Sequence, residues 1–175
     1  SETEEVVKTL KRLLEEIKKH SDDAVRKSEE TNKRIREEVE RVIKRLKELI
    51  EEISELVKSG VEKERLKELV DRVKTALDRA LDELRKLLED DERKIKTVLD
   101  EDKKLVEEVK KRADEKASDE EKLKRLKDAL DRILEESKRL ADELKKRTKD
   151  ILDEAKDALR KIKEELDKLV EDAER

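Results

Sequence analysis

Cysteine, proline, methionine, phenylalanine, tryptophan and tyrosine do not occur among the 175 residues of this chain, and glycine and histidine occur once each. Without cysteine there is no disulfide framework, no thiolate nucleophile and no cysteine-type zinc site. Without rings there is nothing to stack on single-stranded bases and no aromatic belt for a membrane interface. The same absence limits the core. Strand-rich folds rely on aromatic and β-branched residues and on many Gly and Pro turns, so a ring-free, nearly Gly-free chain has to pack aliphatic side chains in a narrow seam between long helices. Long hydrophobic runs are absent too. No apolar run exceeds two residues, too short for a membrane-spanning helix or the core of a signal peptide.

Charge is what the chain has in abundance. Charged residues make up 58% and hydrophobic residues 33%, with 49 Lys and Arg against 53 Asp and Glu and a net charge of −4. Such a composition would fit a disordered chain if the apolar residues were scattered, but they recur at helical spacing. The two signs are interspersed, as in the run ERVIKRLKELIEE, so no basic face is segregated for nucleic acid. Oppositely charged residues three or four apart, such as Lys44 and Glu48, contribute a few tenths of a kcal/mol each and read as solvated faces.

Taken in order, Ser1 and Glu4 have the S-x-x-E form of a capping box. Apolar residues follow at Val6, Leu10, Leu13, Leu14 and Ile17, and the same phase passes through His20, Ala24, Ser28 and Thr31 to Ile35, Val39, Val42, Leu46, Leu49, Ile53 and Leu56. Steps of three and four keep one face aligned, so one continuous helix covers about residues 2–58. Lys58-Ser59-Gly60 ends it, the only glycine standing where a left-handed C-cap is wanted. The second seam runs from Leu66 to Ala113, interrupted at Asp91 and Asp102, and gives a helix over about 62–113. Ser118 and Glu121 form another S-x-x-E box after a turn at 114–118. The third helix, about 119–174, carries its seam from Leu123 to Ala173, interrupted at Ser137 and Thr148. Three helices of similar length, each on the order of 80 Å at 1.5 Å per residue, joined by short turns, fold as a single elongated, antiparallel, up-down-up three-helix bundle of coiled-coil character. A shorter domain of five or six helices would need breaks at Ser21-Asp22-Asp23 and Asp90-Asp91, where there is no Gly, Pro or capping box.

The stretch from His20 to Arg34 stands out because only Ala24 and Val25 in it are apolar. With turns centred near 60 and 117, residue n of the first helix lies level with about 120 − n in the second and n + 114 in the third. His20 then falls within a turn of Asp102 and Ser137, Ser28 near Asp91, and Thr31 and Asn32 within a turn of Thr148. Each partner interrupts an apolar seam of its own. A buried polar group without a partner costs about 1–3 kcal/mol, whereas a connected set satisfies its members and penalises other registers. The reading is therefore of buried hydrogen-bonded levels, one of His20, Asp102 and Ser137, the other of Ser28, Thr31, Asn32, Asp91 and Thr148.

Ser, His and Asp at one level also have the makings of a hydrolytic triad, but a narrow bundle with no glycine-rich oxyanion loop has no room for a substrate. One His with stray carboxylates falls short of a three-ligand metal site. No catalytic residue, metal ligand or cofactor is assigned. Alternatively, the small residues Ala24, Ser28 and Thr31 leave a weak waist that permits hinge motion or helix exchange.

Idealised capping boxes, near-equal helices, alternating Glu and Lys exteriors and an aliphatic seam together resemble de novo designed, parametrically generated helical bundles whose cores carry placed hydrogen-bond networks. Spectrin-type three-helix repeats are less similar, because this chain has no core aromatics. The resemblance implies a structural scaffold, a monomer needing no partner, nucleic acid or membrane. The alternative it implies is a binding or switch module in which a helix is displaced by a partner helix or exchanged in a homodimer.

Overall fold

The computed structural model describes residues 2–116 and 118–174. Three α-helices account for nearly all of them: α1 over Glu2–Lys58, α2 over Lys63–Lys116 and α3 over Glu120–Glu174. α1 passes through the polar stretch without a break, and α2 likewise runs through Asp90-Asp91. The seam's phase, carried across both places at steps of three and four, is the reason.

The ends are set by local chemistry. At the end of α1, Val61 N–H donates to the Leu56 carbonyl at 3.2 Å and Gly60 N–H to the Val57 carbonyl at 3.3 Å, the paired bonds of a Schellman cap. Gly60 sits at φ +78°, the left-handed region, where a Cβ is penalised by its own backbone. The start of α3 differs from the expected capping box. Asp119 is the cap: its carboxylate accepts from the N–H groups of Glu121 at 3.0 Å and Lys122 at 3.4 Å, and its carbonyl accepts the first helical bond from Leu123. Asp serves as well as Ser at this position, and shifting the cap by one residue lets α2 continue to Lys116, past the expected end near 113. Ser1, half of the first box, lies outside the described residues.

Pairs of residues give the directions. Lys110 bonds Asp131 and Asp114 bonds Lys127, so numbers rise by four along α2 as they fall by four along α3: the two are antiparallel. Glu5 pairs with Lys116 at 3.0 Å and His20 with Asp102 at 2.7 Å, which makes α1 and α2 antiparallel. The result is an up-down-up three-helix bundle.

The chain divides into two compact units, each built from a piece of all three helices. One comprises residues 1–30 and 90–147, the other 31–89 and 148–175. The second has a single aliphatic core, with Ile35, Leu46, Val73, Leu84, Leu159 and Leu166 almost wholly buried, each contributing about 1.5–3 kcal/mol. The first has two smaller cores, one of Leu13, Ile17, Val106, Val109 and Leu130, the other of Ala24, Ile95, Ala141 and Leu144. Leu14, expected in the seam, is 41% exposed. Leu13 and Ile17, four apart, already hold the inward face, and the residue after Leu13 is turned about 100° from it.

Three substitutions test the caps by chemical denaturation. Gly60→Ala should lower stability by about 1–2 kcal/mol from backbone strain alone, since nothing lies within 4 Å of the added Cβ. Asp119→Ala should cost about 1 kcal/mol and Ser118→Ala almost nothing; the reverse order would restore Ser118 as the cap.

Candidate functional site

The polar layer in the first unit is built on Asp102. Its position in α2, three residues after Leu99 and four before Val106, places it on the buried face, and it is 2% exposed. His20 reaches it from α1, with Nδ1 2.7 Å from Oδ1. An ionised carboxylate only accepts, so Nδ1 then carries the proton. The ring is half-buried, and its Nε2 faces Glu101 at 4.0 Å. From α3 the Ser137 hydroxyl hydrogen-bonds the same carboxylate. Three helices therefore converge on one group, and in each of them this level separates the two small apolar cores of the unit.

Electrostatics follow from that placement. Burial pushes the Asp102 carboxyl above its ordinary value of 3.8, opposed by the His20 hydrogen bond and charge and then by the Ser137 hydrogen bond, while Glu101 adds to the rise. A group with a raised folded value contributes most to stability below 3.8, and that contribution is lost as pH rises through the raised value. Taken alone, Asp102 opposes folding at neutral pH.

The other expected residues divide between the units. Ser28 and Asp91 belong to the first, buried at 1% and 2% exposure, and neither is without a polar partner. Asn32 and Thr148 belong to the second. There the Thr148 hydroxyl donates to Asn32 Oδ1 at 2.9 Å, joining α3 to α1 inside the core. Thr31 is half-buried, so the seam steps from Ser28 to Asn32 and then Ile35, with Thr31 at its side. Among the described residues, no buried side-chain nitrogen or oxygen lacks a hydrogen-bond partner.

Beside Asp102 and Ser137 lies a cavity of about 20 Å³, closed by Ser21, Ala24, Ile95 and Ala141 among others. It exceeds the roughly 10–15 Å³ that one water needs and is far too small for a substrate. Connectivity also differs from that of a hydrolytic triad, in which the serine hydroxyl bonds the imidazole. Here the carboxylate is the hub, bonded by both His20 and Ser137. Among the described residues, no group of three or more His, Asp or Glu is placed to hold a metal, and no helix is long and apolar enough to cross a membrane.

Two features were not anticipated. Ser21 faces the cavity; its only signal is the spacing Ser21, Ala24, Ser28, a small-residue version of the seam. The pairs joining Lys110 to Asp131 and Lys127 to Asp114 tie α2 to α3, but a charged face looks the same in sequence whether its partner lies on its own helix or the next.

Among solved structures, one described as a computationally designed three helix bundle is similar to this chain, with 23% identity, 99% of this chain and 95% of that chain covered, and a TM-score of 0.42. No protein-family model matches the chain, and no curated protein matches it.

The Asp102 carboxyl, followed by carbon-detected NMR, should titrate above 3.8. His20→Leu should move the midpoint higher by removing the hydrogen bond and charge that oppose desolvation, and Ser137→Ala should move it up by less. A midpoint below 3.8 in the parent chain would contradict the burial of this group.

Proposed function

We propose that the chain is a de novo designed structural scaffold without catalytic activity, and that its polar layers fix the register of the three helices. The observation that carries this reading is the identity of the residues one heptad away from the polar ones. Seven residues either side of Asp102 stand Ile95 and Val109, both buried. A one-heptad slip of α2 would therefore put an aliphatic side chain opposite His20 and move a carboxylate into an apolar layer. Thr148 is flanked at the same interval by Ala141 and Ala155, and Asn32 by Val25 and Val39. Each misplaced polar group costs about 1–3 kcal/mol, more if charged, whereas slipped aliphatic layers repack at little cost. The regularities of composition and capping support the designed origin, and cores closed by three helices within each unit support a monomer.

A second reading rests on the core of Ala24, Ile95, Ala141 and Leu144, in which two of four buried side chains are alanine and which borders the cavity. Of the two apolar cores of the first unit it has the smaller side chains, and it is the place where a helix would part from its neighbours. In that case the protein is a switch or binding module that exchanges a helix with a second copy or a partner.

Replacing His20, Asp102 and Ser137 together by Leu should raise resistance to denaturant, because burying a charged group costs more than burying an aliphatic one. If the layer sets register, the amide NMR spectrum should at the same time show more than one set of signals; a single sharp set would remove that role. Asn32→Ala, which removes the hydrogen bond joining α3 to α1, should cost about 0.5–1.5 kcal/mol. Light scattering on a size-exclusion column separates the two readings: a monomer at every concentration supports the scaffold, and a concentration-dependent dimer with fast hydrogen exchange over residues 20–34 supports exchange.

A further inference from the structure

The second unit contains a recess of about 360 Å³ near the α1–α2 turn, where the three helices do not close over their own core. Val57 of α1, Leu66 and Val70 of α2 and Leu169 of α3 line it, with Ile53 among the deepest at 2% exposure. The opening has a cause in the sequence. The turn after α1 is short, and the last seam position of α3 is Ala173, whose methyl occupies little of the space between the helices.

Polar groups at the recess are biased to one sign. Lys63, Lys67 and Lys74 border it, against the one carboxylate of Asp71. Over the whole chain the two signs are nearly balanced, at 49 cations and 53 anions. Lysine stems can extend the apolar wall while their ammonium groups remain in water at its edge. An aliphatic interior of this size, within the roughly 300–1,000 Å³ of small-molecule sites, with a few polar groups of one charge, selects for an amphiphile.

We propose that this recess binds a single-chain aliphatic anion, such as a medium-chain carboxylate, with the hydrocarbon against Val57, Leu66, Val70 and Leu169 and the head group among Lys63, Lys67 and Lys74. The chain's burial supplies affinity and the lysines supply selection by charge. A cationic amphiphile of equal length places its head among three like charges and is rejected.

Decanoate titrated into the full chain below its aggregation concentration, followed by calorimetry and amide NMR, tests the site. Saturable binding of one decanoate per chain is expected, with shifts confined to residues around 53–74 and 166–173. Decyltrimethylammonium should bind at least on the order of tenfold more weakly. Ala173→Leu, which intrudes on the recess, should weaken binding, and the double variant Lys63→Glu, Lys67→Glu should weaken decanoate by on the order of tenfold while the melting transition shows that each variant is folded. Equal binding of the two amphiphiles, undiminished binding by Ala173→Leu, or shifts spread over both units would overturn the proposal. So would association with phosphatidylglycerol vesicles in the absence of any response to monomeric decanoate, which would make the lysines a membrane-surface patch.

Discussion

A carboxylate that three helices take out of bulk water depends on its neighbours for hydrogen bonds that bulk water would otherwise supply. Asp102 is in that position, and the first unit is arranged around it: His20 approaches from one helix, Ser137 from another, and aliphatic cores lie above and below the layer. Its desolvation opposes folding, and leucines in place of the whole layer would stabilise more. In the register-setting role proposed above, what the carboxylate adds is discrimination: aliphatic layers are nearly interchangeable under a heptad shift, whereas Asp102 has only Ile95 and Val109 one heptad away.

Aliphatic side chains bring the helices close enough for such a layer to work. Without rings in the core, helices approach closely, and short side chains such as Ser137 and Thr148 can reach a partner across the interface. In a bundle spaced by Phe or Trp the same serine would leave its hydroxyl unpaired. Restricted composition and the hydrogen-bond satisfaction of the buried side chains among the described residues are two sides of one geometry.

Much of this was legible in the sequence because helical phase survives the polar interruptions. The lone glycine marked the first turn, the seam marked the faces of α1, α2 and α3, and counting from the turns brought His20, Asp102 and Ser137 to one level. Four things were not legible. Asp119 and Ser118 are both good caps, and only the backbone path chooses between them. Leu14 looked like a seam residue because two adjacent leucines both fit a step of three or four, and which of them turns inward depends on the neighbouring helices. Interhelical ion pairs were hidden for a similar reason: charge patterning along one helix does not say which charges meet across a groove. The recess at the end of the second unit was equally silent, since Ala173 is an ordinary seam residue until the space around it is seen.

The Schellman turn at Gly60 and the Asp119 cap also bear on how the chain would be cut. It carries 49 Lys and Arg residues, nearly all inside helices, where the peptide bond is held in a conformation that a protease active site does not accept. Lys58 and Lys116 are the last residues of their helices, and Lys63 is the first of its own. Trypsin in limiting amount would act at these three positions before any other, and would leave three complete helices that the cores and polar layers still hold together. A protein this rich in cleavage sites would thus be nicked at two places only, and its connections could be exchanged for other sequences without disturbing what they connect.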